Sequence, residues 1–340
     1  MHLHNRFDSK ELKAAMLKSN EPRITISFYK YVDIGNPYIL RDHLYIEWNE
    51  LGVLGRVYLS YEGINAQISI PKDNLENFNE SLNKVSFLEE IRLNIAIDDN
   101  GKSFFKLKMK VRRKIVADGL NDETFDVTNK GIHLDAKSFN EITDLPNTLV
   151  VDMRNHYETE VGHFKNAICP DVDTFRQALP VVEEMLQEHR DKNIVMYCTG
   201  GIRCEKASAY FKHKGFKNVF QLEGGIINYA RQAAEKGLEN KFIGKNFVFD
   251  ERLGERISDD VIAHCHQCGK PCDDHTNCAN EACNLLFIQC EECKSAYNNC
   301  CSEECKEIIL LPEEEQLKLR KGKDKATRIF TKGRFKLKTT

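Results

Sequence analysis

Cys198-Thr199-Gly200-Gly201-Ile202-Arg203 combines the groups needed to make and hold a thiolate. A strand-like run at 193–197 leads into the cysteine, and a helix-like run at 204–211 follows the arginine. Two glycines let backbone N–H groups curl toward the sulfur. The helix N-terminus adds partial positive charge, and Arg203 adds a full one. A thiol inside that ring ionises more readily than a free one, and the thiolate is the nucleophile. The alternative is a structural cysteine beside an ordinary Gly-Gly turn; the ordered succession of strand, Cys, glycines, Arg and helix favours the reactive reading. Two neighbours belong to the same candidate site. Cys204 follows Arg203 directly and is either a resolving thiol or a packing residue. Asp152 ends the apolar run Leu149-Val150-Val151 and either orients the site or caps a loop.

A second chemistry lies toward the end of the chain. Ten of the 13 cysteines fall between Cys265 and Cys305: Cys265, Cys268, Cys272, Cys278, Cys283, Cys290, Cys293, Cys300, Cys301 and Cys305. Two Cys-x2-Cys knuckles about twenty residues apart match a structural zinc ribbon. Together with His264, His266 and His275 these residues suffice for two tetrahedral structural zinc sites. The spacing alone leaves an iron–sulfur alternative open and does not assign cysteines to ions.

A third feature is electrostatic. The formal net charge is only −3 over 340 residues, so no global field marks a nucleic-acid binder; the placement of charge matters more. In the run 105–112, cations alternate with apolar residues. On a strand this puts Lys106, Lys108, Lys110, Arg112 and Lys114 on one face at ~6.6 Å intervals, a stripe suited to a phosphate backbone. An ordinary solvated strand face is the competing reading. The last 23 residues carry Arg328, Lys332 and Arg334, with Phe330 between the first two and Phe335 directly after the third. Cations tether phosphates and aromatics stack on unpaired bases, so RNA contact is expected there rather than a merely solubilising tail.

These groups need elements to position them. Strand and helix patterns through residue 95 follow the order β-α-β-β-α-β of a ferredoxin-like unit. Residues 132–240 alternate short apolar strands with helices, which implies a parallel α/β sheet with its ligand site at the carboxyl ends of the strands. Pro180 is expected in the first turn of a helix. The expected organisation is multidomain α/β: a ferredoxin-like α+β domain at 1–115, a linker at 116–131, a parallel α/β domain at 132–240, a small Cys-rich zinc-binding segment at 241–311 and a basic tail at 312–340. There is no secretory h-region and no apolar run long enough to span a bilayer. With the clustered cysteines this points to a reducing, cytoplasmic setting with no membrane partner.

The Cys-x4-Arg loop resembles the active loop of rhodanese-like domains, one residue shorter than in the related dual-specificity phosphatases. The flanking runs from Asp152 to Glu158, Gly162 to Ile168 and Leu222 to Ile226 resemble the accompanying rhodanese motifs. Taken with Glu62-Gly63-Ile64-Asn65, the alternating basic run, Cys204-Glu205-Lys206 and the Cys-rich segment, nearly the whole chain resembles the rhodanese-domain tRNA uridine hydroxylases (the TrhO family). The resemblance implies oxygen-dependent 5-hydroxylation of the wobble uridine, position 34. It implies molecular oxygen as co-substrate, an electron donor that the motifs do not specify, the tRNA anticodon stem-loop as partner, and Cys198 as the essential cysteine. Two rival functions share the loop: a sulfurtransferase moving sulfur from thiosulfate or a protein persulfide, and a non-catalytic RNA-binding module.

Overall fold

The computed structural model describes residues 8–321; Arg328, Lys332 and Arg334 of the expected RNA-binding tail lie outside them. A first helix, α1 (Ser9–Lys18), is capped by Asp8, whose carboxylate accepts from the backbone N–H of Lys10 and Glu11. The N-terminal domain then runs β1 (Arg23–Tyr31), α2 (Pro37–Glu50), β2 (Leu54–Ser60), β3 (Gly63–Pro71), α3 (Leu75–Asn83), β4 (Asn94–Ile95) and β5 (Leu107–Val111). Its sheet has the order β4-β1-β3-β2-β5. The first four positions are the ferredoxin-like arrangement expected from the sequence. The basic strand is the addition, joining parallel to β2 at the outer edge.

The two faces of this sheet differ because the strands alternate. One face buries Ile26, Phe28, Val57, Leu59, Ile64, Ala66, Ile68, Leu107 and Met109 with Trp48, Leu44 and Phe78 of the helices. The other face is polar. Its register places Asn94, Ser27, Gln67, Arg56 and Lys108 in one cross-strand row, and Tyr29, Asn65, Tyr58 and Lys110 in the next.

The second domain holds β6 (Ile132–Leu134), α4 (Ala136–Thr143), β7 (Thr148–Asp152), α5 (His156–Thr159), β8 (Gly162–Phe164), α6 (Phe175–Met185), β9 (Asn193–Tyr197), α7 (Ile202–His213), β10 (Asn218–Leu222) and α8 (Gly225–Lys236). The sheet order β6-β10-β9-β7 is parallel throughout, as the α/β alternation implied. Pro180 differs from expectation. It sits inside α6, because Thr174 and Gln177 form a capping box that starts the helix several residues earlier.

The chain then adds β11 (Phe242–Asn246), which pairs antiparallel with β8 and with β12 (Glu255–Arg256). The hairpin β13 (His275–Asn277) and β14 (Leu286–Ile288) follows, with short helices α9 (Glu291–Tyr297), α10 (Glu303–Ile309) and α11 (Glu313–Arg320). Among the described residues no helix is long and apolar enough to cross a membrane.

The polar face of the N-terminal sheet docks on the loop between β9 and α7. Tyr29 donates its hydroxyl to Glu205 at 2.9 Å, and the Lys206 ammonium lies 2.7 Å from Glu62 and 2.5 Å from Asp122. Asn94 Nδ2 reaches the Gly200 carbonyl at 3.4 Å, and Arg231 donates to the carbonyls of Ile95 and Ala96. This approach requires the loop glycines. A Cβ on Gly201 would come 2.8 Å from the Tyr29 hydroxyl, and its φ of +98° disfavours any L side chain. Gly201→Ala is therefore expected to lower stability by about 1–3 kcal/mol, measured by urea unfolding; an unchanged midpoint would refute the tight docking.

Candidate active site and metal centres

Cys198 is fully buried at the end of β9 and forms part of the wall of the interdomain cavity. Its Sγ accepts from the Gly201 N–H at 3.2 Å. Behind it, the first amides of α8 hold the loop: Ile226 N–H donates to the Cys198 carbonyl at 3.0 Å and Ile227 N–H to the Thr199 carbonyl at 3.3 Å. Gly225 permits this contact, since a Cβ there would lie 2.4 Å from the Cys198 carbonyl oxygen.

Burial works against ionisation of Cys198. It is outweighed by a hydrogen bond from the Cys204 thiol, the Arg203 charge and the backbone N–H groups of Arg203 and Gly201, which together bring the pKa down to about 6. Cys204 moves the opposite way: burial and the neighbouring thiolate push its pKa well up. The proton of the pair therefore resides on Cys204, and the charge on Cys198.

Arg203 is held rather than free. Its guanidinium donates to both oxygens of Glu158, at 2.7 and 2.8 Å, and to Thr199 Oγ1 at 3.3 Å. Although burial alone would raise the pKa of Glu158, Arg203 and Arg154 keep it below the usual range. Glu158 also accepts the Asn155 N–H at 3.0 Å, closing a capping box on α5. Sequence reasoning had not singled out Glu158. The spacing Asn155-x-x-Glu158 before a short helix was the available signal.

Asp152 lies behind this layer. It forms a fully buried pair with Arg154, with contacts of 2.9 and 2.6 Å, and Arg154 also donates to the Gly162 carbonyl. Asp152 thus braces the strand ends that carry the site.

The cavity in front of Cys198 measures about 340 Å³. The active loop contributes Cys198, Thr199, Gly200, Ile202 and Arg203. The opposite wall is the polar sheet face, with Ser27, Tyr29, Arg56, Tyr58, Asn65, Gln67 and Asn94; a segment including Phe249, Asp250, Arg252 and Glu255 closes the side. A second, polar groove of about 480 Å³ shares Arg56, Phe249 and Asp250 with it and continues toward His275, Lys294 and Asn299.

The basic strand is shorter than the expected stripe. Lys108 and Lys110 are exposed within β5, Arg112 follows it exposed, and the Arg112 guanidinium lies 5.9 Å from the centre of the Tyr58 ring. Lys106 precedes the strand, half-buried against Phe105. Lys114 departs from the stripe, because its ammonium is bound by Asp118 and Asp122 at 2.7 and 2.8 Å and by the Leu120 carbonyl. Partial burial, then the charges of Lys106, Arg56 and Lys110, lower the pKa of Lys108. The three neighbouring cations mark a local concentration of positive charge beside the partial burial that leads the shift.

The cysteines fall into two sets of four. Cys265, Cys268, Cys290 and Cys293 form one, and Cys278, Cys283, Cys301 and Cys305 the other; within each set the sulfurs lie within 4.8 Å of one another. Cys272 and Cys300, expected as ligands with the other eight, belong to neither set. His264, His266 and His275 also stand apart from both sets; His266 instead bonds Glu160 at 2.7 Å. Tetrahedral zinc with Zn–S near ~2.3 Å requires sulfurs about 3.8 Å apart. The observed Cys268–Cys290 and Cys283–Cys301 distances are both 3.6 Å, and Cys301–Cys305 is 3.8 Å. The donor sets therefore fit a single tetrahedral ion each, of the structural, fully protein-ligated kind.

Comparison with known proteins matches three stretches of the chain. Residues 23–115 match the family model for the UPF0176 acylphosphatase-like domain, 135–232 the rhodanese-like domain and 243–306 the rhodanese C-terminal model. The tRNA uridine(34) hydroxylase of Photorhabdus laumondii is 62% identical over 98% of this chain and 96% of its own length. That of Cronobacter sakazakii is 58% identical over 99% and 97%. The chain belongs to the tRNA uridine(34) hydroxylase family. Among solved structures, a rhodanese-related protein from Thermoplasma volcanium is 24% identical over 32% of this chain and 95% of its own, with a TM-score of 0.26.

Two outcomes test the site. Alkylation at Cys198, followed by peptide mass spectrometry across a pH series, should rise with a midpoint near pH 6, against ~8.5 for a free thiol. The midpoint should move up in Arg203→Gln; a wild-type midpoint at the free-thiol value would refute the electrostatic reading. Metal analysis of purified protein should find two zinc ions per chain, matching the two cysteine sets. Cys268→Ser should lose one and Cys272→Ser neither; full loss of an ion in Cys272→Ser would overturn the ligand assignment.

Proposed function

We propose that this protein hydroxylates uridine 34 of tRNA at C5, using molecular oxygen, with the Cys198 thiolate as nucleophile. The observation that carries the reading is the cavity itself. An activated thiolate faces a polar wall, and that wall continues along the sheet into Lys108 and Lys110. A pocket of this size accepts one base, and the cationic edge accepts the phosphates attached to it. Extended identity to proteins named tRNA uridine(34) hydroxylase supports the same reading and does not favour sulfur transfer or a non-catalytic role.

An anticodon loop suits this geometry because its bases are unpaired and can be turned out of the stack. The target base enters the cavity. Phe249, 39% exposed and shared by both cavities, offers a ring face to a neighbouring base as the strand continues into the polar groove.

In the chemical step, Cys198 Sγ bonds to C6 of the uracil. The C5–C6 π electrons shift toward C5 and O4, and C5 becomes the electron-rich carbon that meets the oxidant. The loop N–H groups and Arg203 lose their thiolate charge at that moment and face a neutral thioether. Loss of the C5 proton and departure of the thiolate restore the double bond after oxygen is installed. Inserting one oxygen atom from O2 and reducing the other to water consumes two electrons, so a reductant joins the reaction. Zinc ions held by the two four-cysteine sets, with every position filled by a thiolate, would serve a structural role and supply no open coordination site to this chemistry.

The deciding experiment is nucleoside mass spectrometry of tRNA from cells lacking the protein, complemented with wild type or Cys198→Ser. We expect 5-hydroxyuridine-derived nucleosides to disappear and only wild type to restore them. Loss of a thiolated nucleoside instead would favour sulfur transfer, and no change would overturn the RNA reading.

A further inference from the structure

Asn94 is 95% buried by its 5% exposure, yet it lines the cavity in front of Cys198. Its Nδ2 points at the Gly200 carbonyl, 3.4 Å away. That contact fixes which end of the amide is which, because a carbonyl accepts and only the nitrogen can donate. Oδ1 is then left with no partner among the described residues. A buried acceptor without a donor is unfavourable, and native structures rarely keep one without a use. The strand register explains how it arrives there: β4 pairs Asn94 with Ser27, both on the polar face, and a Cβ on Gly200 would lie 3.6 Å from Asn94 Nδ2 and 3.9 Å from Ser27 Oγ.

Building on the proposed function, we propose that Asn94 Oδ1 accepts the N3–H of the target uracil and is the residue that distinguishes uracil from a base lacking that donor. Uracil presents one N–H flanked by two carbonyls on this edge. An acceptor with a hydroxyl beside it is the complementary pair: Asn94 Oδ1 takes the N3–H, and Ser27 can donate to an adjoining carbonyl. Cytosine carries an unprotonated N3, which would place two acceptors against each other and leave both unpaired. N3 and C6 occupy opposite corners of the ring. Fixing N3 on Asn94 therefore also sets which corner is presented to the rest of the cavity, where the thiolate lies. The same cross-strand row runs on through Gln67 and Arg56 to Lys108, so base and backbone would be read along one line of the sheet.

The test replaces the donor on the substrate rather than only the residue. Anticodon stem-loops carrying uridine or 3-methyluridine at position 34 are incubated with purified protein in extract from cells lacking it, which supplies the reductant. Hydroxylation is read by mass spectrometry. For wild type, the methyl group should lower the rate on the order of 10- to 100-fold. Asn94→Ala should be slowed by a similar factor on uridine and show little further loss on 3-methyluridine. If wild type treats the two substrates alike, or if Asn94→Ala remains as sensitive to the methyl group as wild type, the assignment is overturned. Should the alanine variant fail to fold, Asn94→Ser provides the comparison, and the wild-type substrate pair still decides the first arm. Absence of any hydroxylation of the unmodified stem-loop by wild type would instead count against the proposed function.

Discussion

One buried cation serves two anions at the centre of this molecule. Arg203 is clamped by Glu158 through two short hydrogen bonds, and its remaining field falls on the Cys198 sulfur. An unpaired guanidinium at that depth would be costly, and breaking such a pair typically loses about 3–5 kcal/mol. Glu158 therefore makes a buried positive charge tolerable without removing its influence on the thiolate. The loop amides complete the arrangement because glycine at 201 adopts a backbone that turns the N–H toward sulfur. Burial alone would have left Cys198 neutral; its position among these donors reverses that outcome.

The second constraint is that a nucleophile in a rhodanese-type loop is only half of a site. Its other half comes from a different domain, and the docking contacts explain several sequence features with no local purpose. Glu62 and Lys206, more than a hundred residues apart, meet in an ion pair, and Glu62 also accepts the Ile115 N–H at 2.8 Å. Glu205, next to Lys206, accepts from Tyr29. Lys130 and His133 hold its carboxyl down to about 2 against the opposing effect of burial. The N-terminal sheet is thereby fixed with its polar face across the cavity from the thiolate.

What was legible in the chain follows from how local each signal is. The Cys198 loop could be read because strand, loop and helix are contiguous, and the ferredoxin-like order because each strand carries its own alternation. The basic strand was legible as a pattern but not in extent: Lys114 matches the period, yet Asp118 and Asp122 fold back on it. The cysteines announced metal but not its partition, since Cys272 and Cys300 differ from their neighbours only in where the backbone carries them. Glu158 and Asn94 were the least visible. Their roles arise from contacts made across about 45 and 106 positions of chain respectively, and no window of sequence contains both ends.

The cysteine module bears on the site through packing. Cys265 and Cys293 of the first metal set share a hydrophobic cluster with Tyr157, Val161 and Phe247, and Tyr157 precedes Glu158 on the short helix α5. His266, between two of the metal-set cysteines, bonds Glu160 at 2.7 Å just past that helix. A four-residue helix has too few hydrogen bonds to hold its own orientation, yet this one must present a carboxylate to Arg203 within a few tenths of an ångström. The knuckle that carries Cys265 and Cys293 is the surface against which α5 rests, and an ion held by its four thiolates would cross-link that surface. The same cluster includes Phe247, and the segment that follows it carries Phe249, Asp250 and Arg252 into the cavity wall. An ion held by this cysteine set would thus stiffen both the helix that holds Arg203 and the wall that closes the cavity.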